Sequence, residues 1–87
     1  MPDSADSSVL VLYFAALRDL ARTSEERVGL PAPLSVAALL ALLEDRHGEL
    51  RGRLSSVRVA VNEEFSEPST LLRGGEVVAL IPPVSGG

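Results

Sequence analysis

Eighty-seven residues suffice for one domain, which would bury roughly 60–65% of its unfolded surface. A 46% hydrophobic content and a mean hydropathy of +0.24 exclude a disordered chain, and the absence of cysteine excludes a disulfide framework or thiolate metal site and fits a reducing compartment. The net charge of −4 argues against a nucleic-acid partner. All eight basic residues are arginines, which leaves no internal amine as nucleophile or Schiff-base former.

Residues 1–8 are polar, rich in Asp and Ser, and read as a flexible tail. Acidic residues stand where a signal peptide needs positive charge, and the apolar run behind them falls short of the ~20 residues that span a bilayer. A cytoplasmic chain with no membrane partner is the expectation. Val9–Ala15 (VLVLYFA) is apolar at every position and rich in β-formers, the pattern of a strand buried on both faces. ALRDLAR follows as a short helix with Leu17 and Leu20 three apart, and EERVGLP as a brief strand ending at Pro31. PAPLSVAALLALLEDRHG predicts the main helix, with Ser35 as N-cap, Val36, Leu39, Leu40 and Leu43 as one stripe, and Gly48 as terminator.

Val57, Val59 and Val61 then alternate with Arg58 and Ala60, as in a strand with one face in the core. Asn62 and two glutamates turn the chain into a short strand at Phe65. EPSTLLRGG reads as irregular, with Gly74-Gly75 as a turn, and Glu76–Pro82 as a last strand apolar on both faces. Two doubly apolar strands, one from each end of the chain, belong together at the centre of a sheet. With one long helix on one face, that is an α+β protein with a mixed sheet, a ubiquitin-like β-grasp over residues 9–81, followed by a tail, 82–87.

Side-chain chemistry is sparse. His47 is the single histidine and sits at a helix C-terminus, where a cation caps favourably. Glu25-Glu26 and Glu63-Glu64 are neighbours in strand or turn segments, so they point apart and read as solvated charge, not carboxylate dyads. Arg73–Gly75 precedes a strand, so it is a turn and not a phosphate loop. Neither metal nor cofactor ligands are expected.

What remains is the terminus, Ile-Pro-Pro-Val-Ser-Gly-Gly. Two terminal glycines arise by chance in roughly one chain in 200. Here they follow a strand and a Pro-Pro spacer that keeps the exit extended. Without Cβ atoms, Gly86 and Gly87 could thread a narrow channel and bring the Gly87 carboxylate to a partner's active site. A carboxylate is ionised at neutral pH and inert to nucleophiles, so it requires activation, most simply by ATP as an acyl-adenylate. The chain carries no nucleotide-binding motif, so that ATP belongs to another enzyme.

From Val9 to Gly87 the sequence resembles the small, sulfur-carrying subunits of molybdopterin synthase, of the ubiquitin-like β-grasp sulfur carrier superfamily. The resemblance rests on VLYFAALRDLA, VAVNEEF and GGEVVALIPPVSGG, with PPVSGG after a strand the most specific. Gly75 departs from the family's usual Asp in that turn. The resemblance implies that a ubiquitin-activating-like adenylyltransferase adenylates Gly87 and that a sulfurtransferase converts it to a thiocarboxylate. The tail, Pro82, Pro83, Val84, Ser85, Gly86 and Gly87, then enters the large subunit, which supplies the catalytic lysine. Sulfur passes to cyclic pyranopterin monophosphate within a heterotetramer of two large and two small subunits. The chain is then no enzyme by itself.

The alternating positions leave open whether Leu10, Leu12 and Phe14 or Val9, Val11 and Tyr13 face outward. The resemblance implies that Phe14 and Ile81 lie on the outer face against the large subunit, with Arg18 as a polar rim contact. A carrier for thiamine or cysteine synthesis, a ubiquitin-like protein modifier and a plain binding module are the alternatives.

Overall fold

A computed structural model of the chain describes residues 7–83. Val84, Ser85, Gly86 and Gly87 lie outside the described residues, as does most of the proposed N-terminal tail. The elements, in chain order, are β1 (Ser8–Tyr13), α1 (Ala16–Ala21), β2 (Glu25–Gly29), β3 (Leu34–Ser35), α2 (Val36–Arg46), a 3-10 turn (Gly48–Leu50), β4 (Arg58–Val61), β5 (Glu64–Phe65), β6 (Leu71–Leu72) and β7 (Val77–Ile81). Five strands form one sheet in the order β2-β1-β7-β4-β5, and β3 and β6 pair separately. The expected α+β mixed sheet is thus present: β1 and β7 run parallel at its centre, and every other pair is antiparallel.

The main helix forms where its sequence places it. Ser35 is extended, and its Oγ accepts a hydrogen bond from the Ala38 N–H at 3.1 Å, satisfying one of the donors that a helix start leaves open. Val36, Leu39 and Leu43 are buried against Val9, Val11, Tyr13, Val78 and Leu80. Leu40 is only half-buried and packs at the margin of this core. Gly48 does not terminate α2 through a left-handed cap, as the sequence suggests. The helix ends at His47, an extended residue, and the chain runs on into the 3-10 turn.

Two further expectations change. β1 and β7 are not buried on both faces: Val9, Val11, Tyr13, Val78 and Leu80 enter the core, whereas Leu10, Leu12, Ala79 and Ile81 are half-exposed and Val77 is exposed. The reason is the number of covering elements, since α2 can shield one face only. Nor is EPSTLLRGG wholly irregular. Leu71 and Leu72 pair with Ser35 and Leu34, and Leu72 is fully buried. Two-residue strands carry too little periodicity to be read from a sequence.

The β4–β5 hairpin turns through Asn62 and Glu63, both left-handed at φ 50° and 71°. That is the geometry of a two-residue type I′ turn, which favours glycine at the second position. A left-handed L-residue costs about 1–2 kcal/mol, partly offset by the extra unfolded-state entropy of glycine. Glu63→Gly should therefore stabilise the domain by about 0.5–1 kcal/mol. Thermal or urea denaturation would show a raised midpoint; an unchanged or lowered one would refute the turn assignment.

Candidate functional site

The tail leaves from the middle of the sheet. β7 hands the chain directly from Ile81 to half-buried Pro82 and exposed Pro83. Its start is set by a turn at Gly74 and Gly75, whose φ values of 121° and 92° suit glycine. The Glu76 carboxylate closes this turn by accepting from the backbone N–H groups of Arg73 at 2.9 Å and Gly74 at 2.8 Å. Partial burial pushes the Glu76 carboxyl upward, but these bonds outweigh it and hold the group below the usual carboxylate range. The departure at Gly75 thus lies in a turn that its positive φ explains.

The sheet face opposite α2 is the second part of the site. Its residues follow from the strand register. Leu12, Ala79 and Ala60 form one cross-strand row, continued by Glu25 opposite Leu12 and by Phe65 opposite Ala60. Ile81 and Arg58 are opposite one another in the next row towards the tail, and Phe14 follows Tyr13, the partner of Leu80. On the other side lie Arg27, Leu10 and Val77, with Asn62 bonded to Val77 through both its backbone N–H and its side-chain oxygen. These rows enclose an open, mainly apolar hollow of about 630 Å³.

Both phenylalanines of the chain lie on this face, Phe14 45% and Phe65 66% exposed. Isolated exposed apolar residues are ordinary, but two exposed aromatics around one apolar hollow mark a binding surface. Phe14 is set by strain next to it: Ala15 has φ 52° and ψ −130°, and the Leu17 N–H bonds the Phe14 carbonyl at 3.0 Å. That is a type II′ turn with alanine where glycine is favoured.

The structure brings Phe14, Ile81 and Pro82 to the same end of the sheet and buries Tyr13 on the opposite face. Arg18 is exposed on α1, just beyond Phe14, and makes no ion pair among the described residues. Sequence reasoning missed Phe65 and Arg58 as members of this face. The Arg58 guanidinium lies over the Phe65 ring, 5.0 Å from its centroid. The usable signal was the two-residue Asn62-Glu63 turn, which fixes Ala60 opposite Phe65.

Behind the sheet, Glu26 corrects the expectation of solvated charge. Its side chain is only 16% exposed and accepts from the Tyr13 hydroxyl at 2.8 Å, the Arg46 guanidinium at 2.9 Å and the His47 Nε2 at 2.7 Å. His47 sits at the helix C-terminus as expected, and its ring meets Tyr13 edge-on with centroids 6.0 Å apart. Burial pushes the Glu26 carboxyl upward, but the bonds from His47, Arg46 and Tyr13 together bring it below its usual value. Burial, then the bond to Glu26 and its charge, hold the Tyr13 phenol protonated far above its usual range. This cluster fastens β2 to the end of α2 and takes no part in the outer face. Among the described residues, no group of three or more acidic or histidine side chains is placed to hold a metal, and no helix is long and apolar enough to cross a membrane.

The family model described as the ThiS family matches residues 11–87, thus the second half of β1, all of β7 and the whole tail. The chain belongs to the ThiS family. Within it, a molybdopterin synthase sulfur carrier subunit of Mycobacterium tuberculosis is 38% identical over 80 residues, covering 91% of this chain and 96% of that one. At that identity and coverage the chain is one of the molybdopterin synthase sulfur carrier subunits. Among solved structures, small archaeal modifier protein 1 of Haloferax volcanii superposes with a TM-score of 0.84 at 28% identity, covering 93% of this chain and all of that one. A subunit in the complex of subunits 1 and 2 of the molybdopterin-converting factor from Helicobacter pylori superposes at 0.66 with 25% identity, covering 92% and 99%. The ubiquitin-like β-grasp expectation holds.

The Glu26 cluster yields a test in this ThiS-family chain. The folded state holds the Glu26 carboxyl below 4.5, so the unfolded chain takes up the proton first as pH falls. The stabilisation is complete above about pH 4.5 and disappears as pH drops through the lower folded value. Glu26→Gln should lower the melting temperature near neutrality, and the gap to wild type should close below pH 4.5. A gap independent of pH would contradict the ionised, hydrogen-bonded carboxylate.

Proposed function

We propose that the chain is the sulfur carrier subunit of a molybdopterin synthase and acts, in the cytoplasm, through the carboxyl group of Gly87. The observation that carries this reading is the exit of the tail from central strand β7 beside an apolar face that holds exposed Phe14 and Phe65. A surface of that kind docks a protein and aims the tail into it. Membership among the sulfur carrier subunits supports the chemistry, and the Helicobacter pylori complex supports a large-subunit partner.

The chemistry begins at an inert carboxylate. An adenylyltransferase would join a Gly87 carboxylate oxygen to the α-phosphorus of ATP, with pyrophosphate leaving. A sulfurtransferase would then deliver sulfide-level sulfur to the carbonyl carbon, and AMP would depart with the oxygen. The product, a thiocarboxylate, is anionic at neutral pH and a softer, stronger nucleophile than the carboxylate. Gly86 and Gly87 have no side chain to obstruct the channel of the large subunit, and Pro82 and Pro83 limit slack in the tail. The thiocarboxylate sulfur would attack a carbon of cyclic pyranopterin monophosphate and displace the oxygen it carries. Hydrolysis of the acyl carbon–sulfur bond would leave the sulfur on the pterin and return Gly87 as carboxylate. Two such units in a heterotetramer of two large and two small subunits complete the enzyme. ATP is consumed by the activating enzyme, and this chain holds no cofactor of its own.

Incubation with ATP, the activating enzyme and a sulfur donor should exchange one Gly87 oxygen for sulfur, visible by mass spectrometry of the C-terminal peptide. Deleting Gly87, or adding one residue after it, should abolish sulfur transfer with little change in melting temperature. A tail-deleted chain that still supports dithiolene formation would refute the carrier reading. The likeness to the small archaeal modifier protein favours protein conjugation as the second reading. Isopeptide-linked products without any thiocarboxylate would establish it instead.

The outer face has its own test. Truncating a large apolar residue buried centrally in an interface often costs about 2 kcal/mol or more. Phe14→Ala and Ile81→Ala should each weaken binding to the large subunit more than tenfold, with a smaller loss of domain stability. Leu40→Ala, behind the sheet, should cost stability and leave binding nearly intact. Titration calorimetry showing normal binding by Phe14→Ala would remove this face from the interface.

A further inference from the structure

We propose that the outer sheet face also closes on a second copy of this chain, forming an isologous dimer. Its two-fold axis runs parallel to the sheet and midway between the two faces, across the strands, above the row of Leu12, Ala79 and Ala60. An axis so placed brings this row onto its own image and the tail-side row onto the Leu10–Val77 row of the other copy. Phe14 then meets Leu10, Ile81 meets Val77, and Leu12 and Phe65 meet their own counterparts. Every one of these contacts is apolar on apolar.

Charge selects the same arrangement. Arg58 lies in the tail-side row opposite Ile81, and Glu63 lies at the turn beyond Val61 at the other end of β4. The axis therefore sets Arg58 of each copy over Asn62 of the other and beside its Glu63, twice. Both side chains are exposed, and neither has an ion-pair partner among the described residues. Stacking on Phe65 holds the Arg58 guanidinium over the face. Arg46 and His47, which do have a carboxylate partner, share Glu26 behind the sheet. Glu25 meets its own image at the open edge of the sheet, where water screens the pair and Arg27 stands nearby on the same strand. Rotation about an axis along the strands would instead set Phe14 on Arg58 and Glu25 on Phe65.

Five strands ~4.8 Å apart and three rows ~6.7 Å apart give a projected face of roughly 300–400 Å² per copy. That is well below the ~800 Å² per partner of a standard stable interface, so the dimer is weak and exchanges readily. It covers the apolar face of the free carrier and yields to a partner with more surface to offer. The competition with the large subunit rests on the function proposed above; the self-association does not.

Sedimentation of the full chain tests the dimer directly. Its weight-average mass should climb from 9.2 kDa towards twice that value between about 10 µM and 1 mM, the range of weak interfaces. Arg58→Glu and Glu63→Arg should each weaken association at least about tenfold at low salt, and Arg58→Gln by less, while circular dichroism confirms folding. The double exchange Arg58→Glu with Glu63→Arg should restore association. A monomer at all concentrations, a dimer indifferent to Arg58→Glu, or no restoration by the exchange would overturn the proposal. Added large subunit should disperse the dimer. Binding without dispersal would also overturn it, whereas a large subunit that does not bind at all would refute the synthase reading and leave the dimer standing.

Discussion

The parallel pairing of β1 with β7 is the constraint on which the remainder of this structure depends. Parallel strands cannot be joined by a hairpin, so the chain between them must travel around the sheet and supply the elements that cover it. Here that connection provides one long amphipathic helix. α2 buries Val9, Val11, Tyr13, Val78 and Leu80 on one face and leaves Leu10, Leu12, Val77, Ala79 and Ile81 on the other with no covering layer among the described residues. The core and the exposed surface therefore share the same two strands. Because β7 is central, its C-terminal continuation leaves beside that surface and not from a remote edge.

The turns around the outer face contain three of the four positive-φ non-glycine residues among the described residues, the fourth being Arg22 at the end of α1. Ala15 beside Phe14, and Asn62 with Glu63 at the β4–β5 hairpin, all have positive φ without being glycine. Positions of this kind persist where the surrounding hydrogen bonds over-determine them. The Phe14 carbonyl is held by the Leu17 N–H, and Asn62 makes two bonds to Val77. The opposite side of the sheet is secured differently, by a carboxylate that gathers Tyr13, Arg46 and His47. One side of the molecule is fastened internally, and the other keeps its aromatic rings and charges available to a partner.

That division suits a protein whose side chains have little chemistry to offer. The one histidine is engaged by Glu26, cysteine and lysine are absent, and the glutamates are spread among turns, strand edges and the Glu26 cluster. On the function proposed here, reactivity at the backbone end would be supplied by other enzymes, and this domain would need to offer only a rigid exit and a surface that recognises the enzyme to be served. Apolar burial is non-directional, so in the proposed docking charged groups at the rim such as Arg18 and Arg58 would add the orientation that a flat apolar face lacks.

Much of this was legible in the residues themselves. Apolar runs of β-formers place β1 and β7, alternation places β4, a leucine stripe places α2 with Ser35 at its start, and two apolar strands at the chain ends imply their pairing in the centre. These follow from local periodicity and capping, which a linear sequence carries in full. The parity of Val9–Phe14 divides those residues into two sets but does not say which is buried, because that depends on the face α2 occupies. The two-residue pairing of β3 with β6 is likewise decided by tertiary contact. So is the environment of Glu26: its neighbour Glu25 has the same charge and the same local sequence, yet only Glu26 points at the end of α2. The sequence by itself determined a β-grasp domain with a glycine tail. Tertiary structure alone decided which face stayed open beside that tail, because one helix can cover only one side of a sheet.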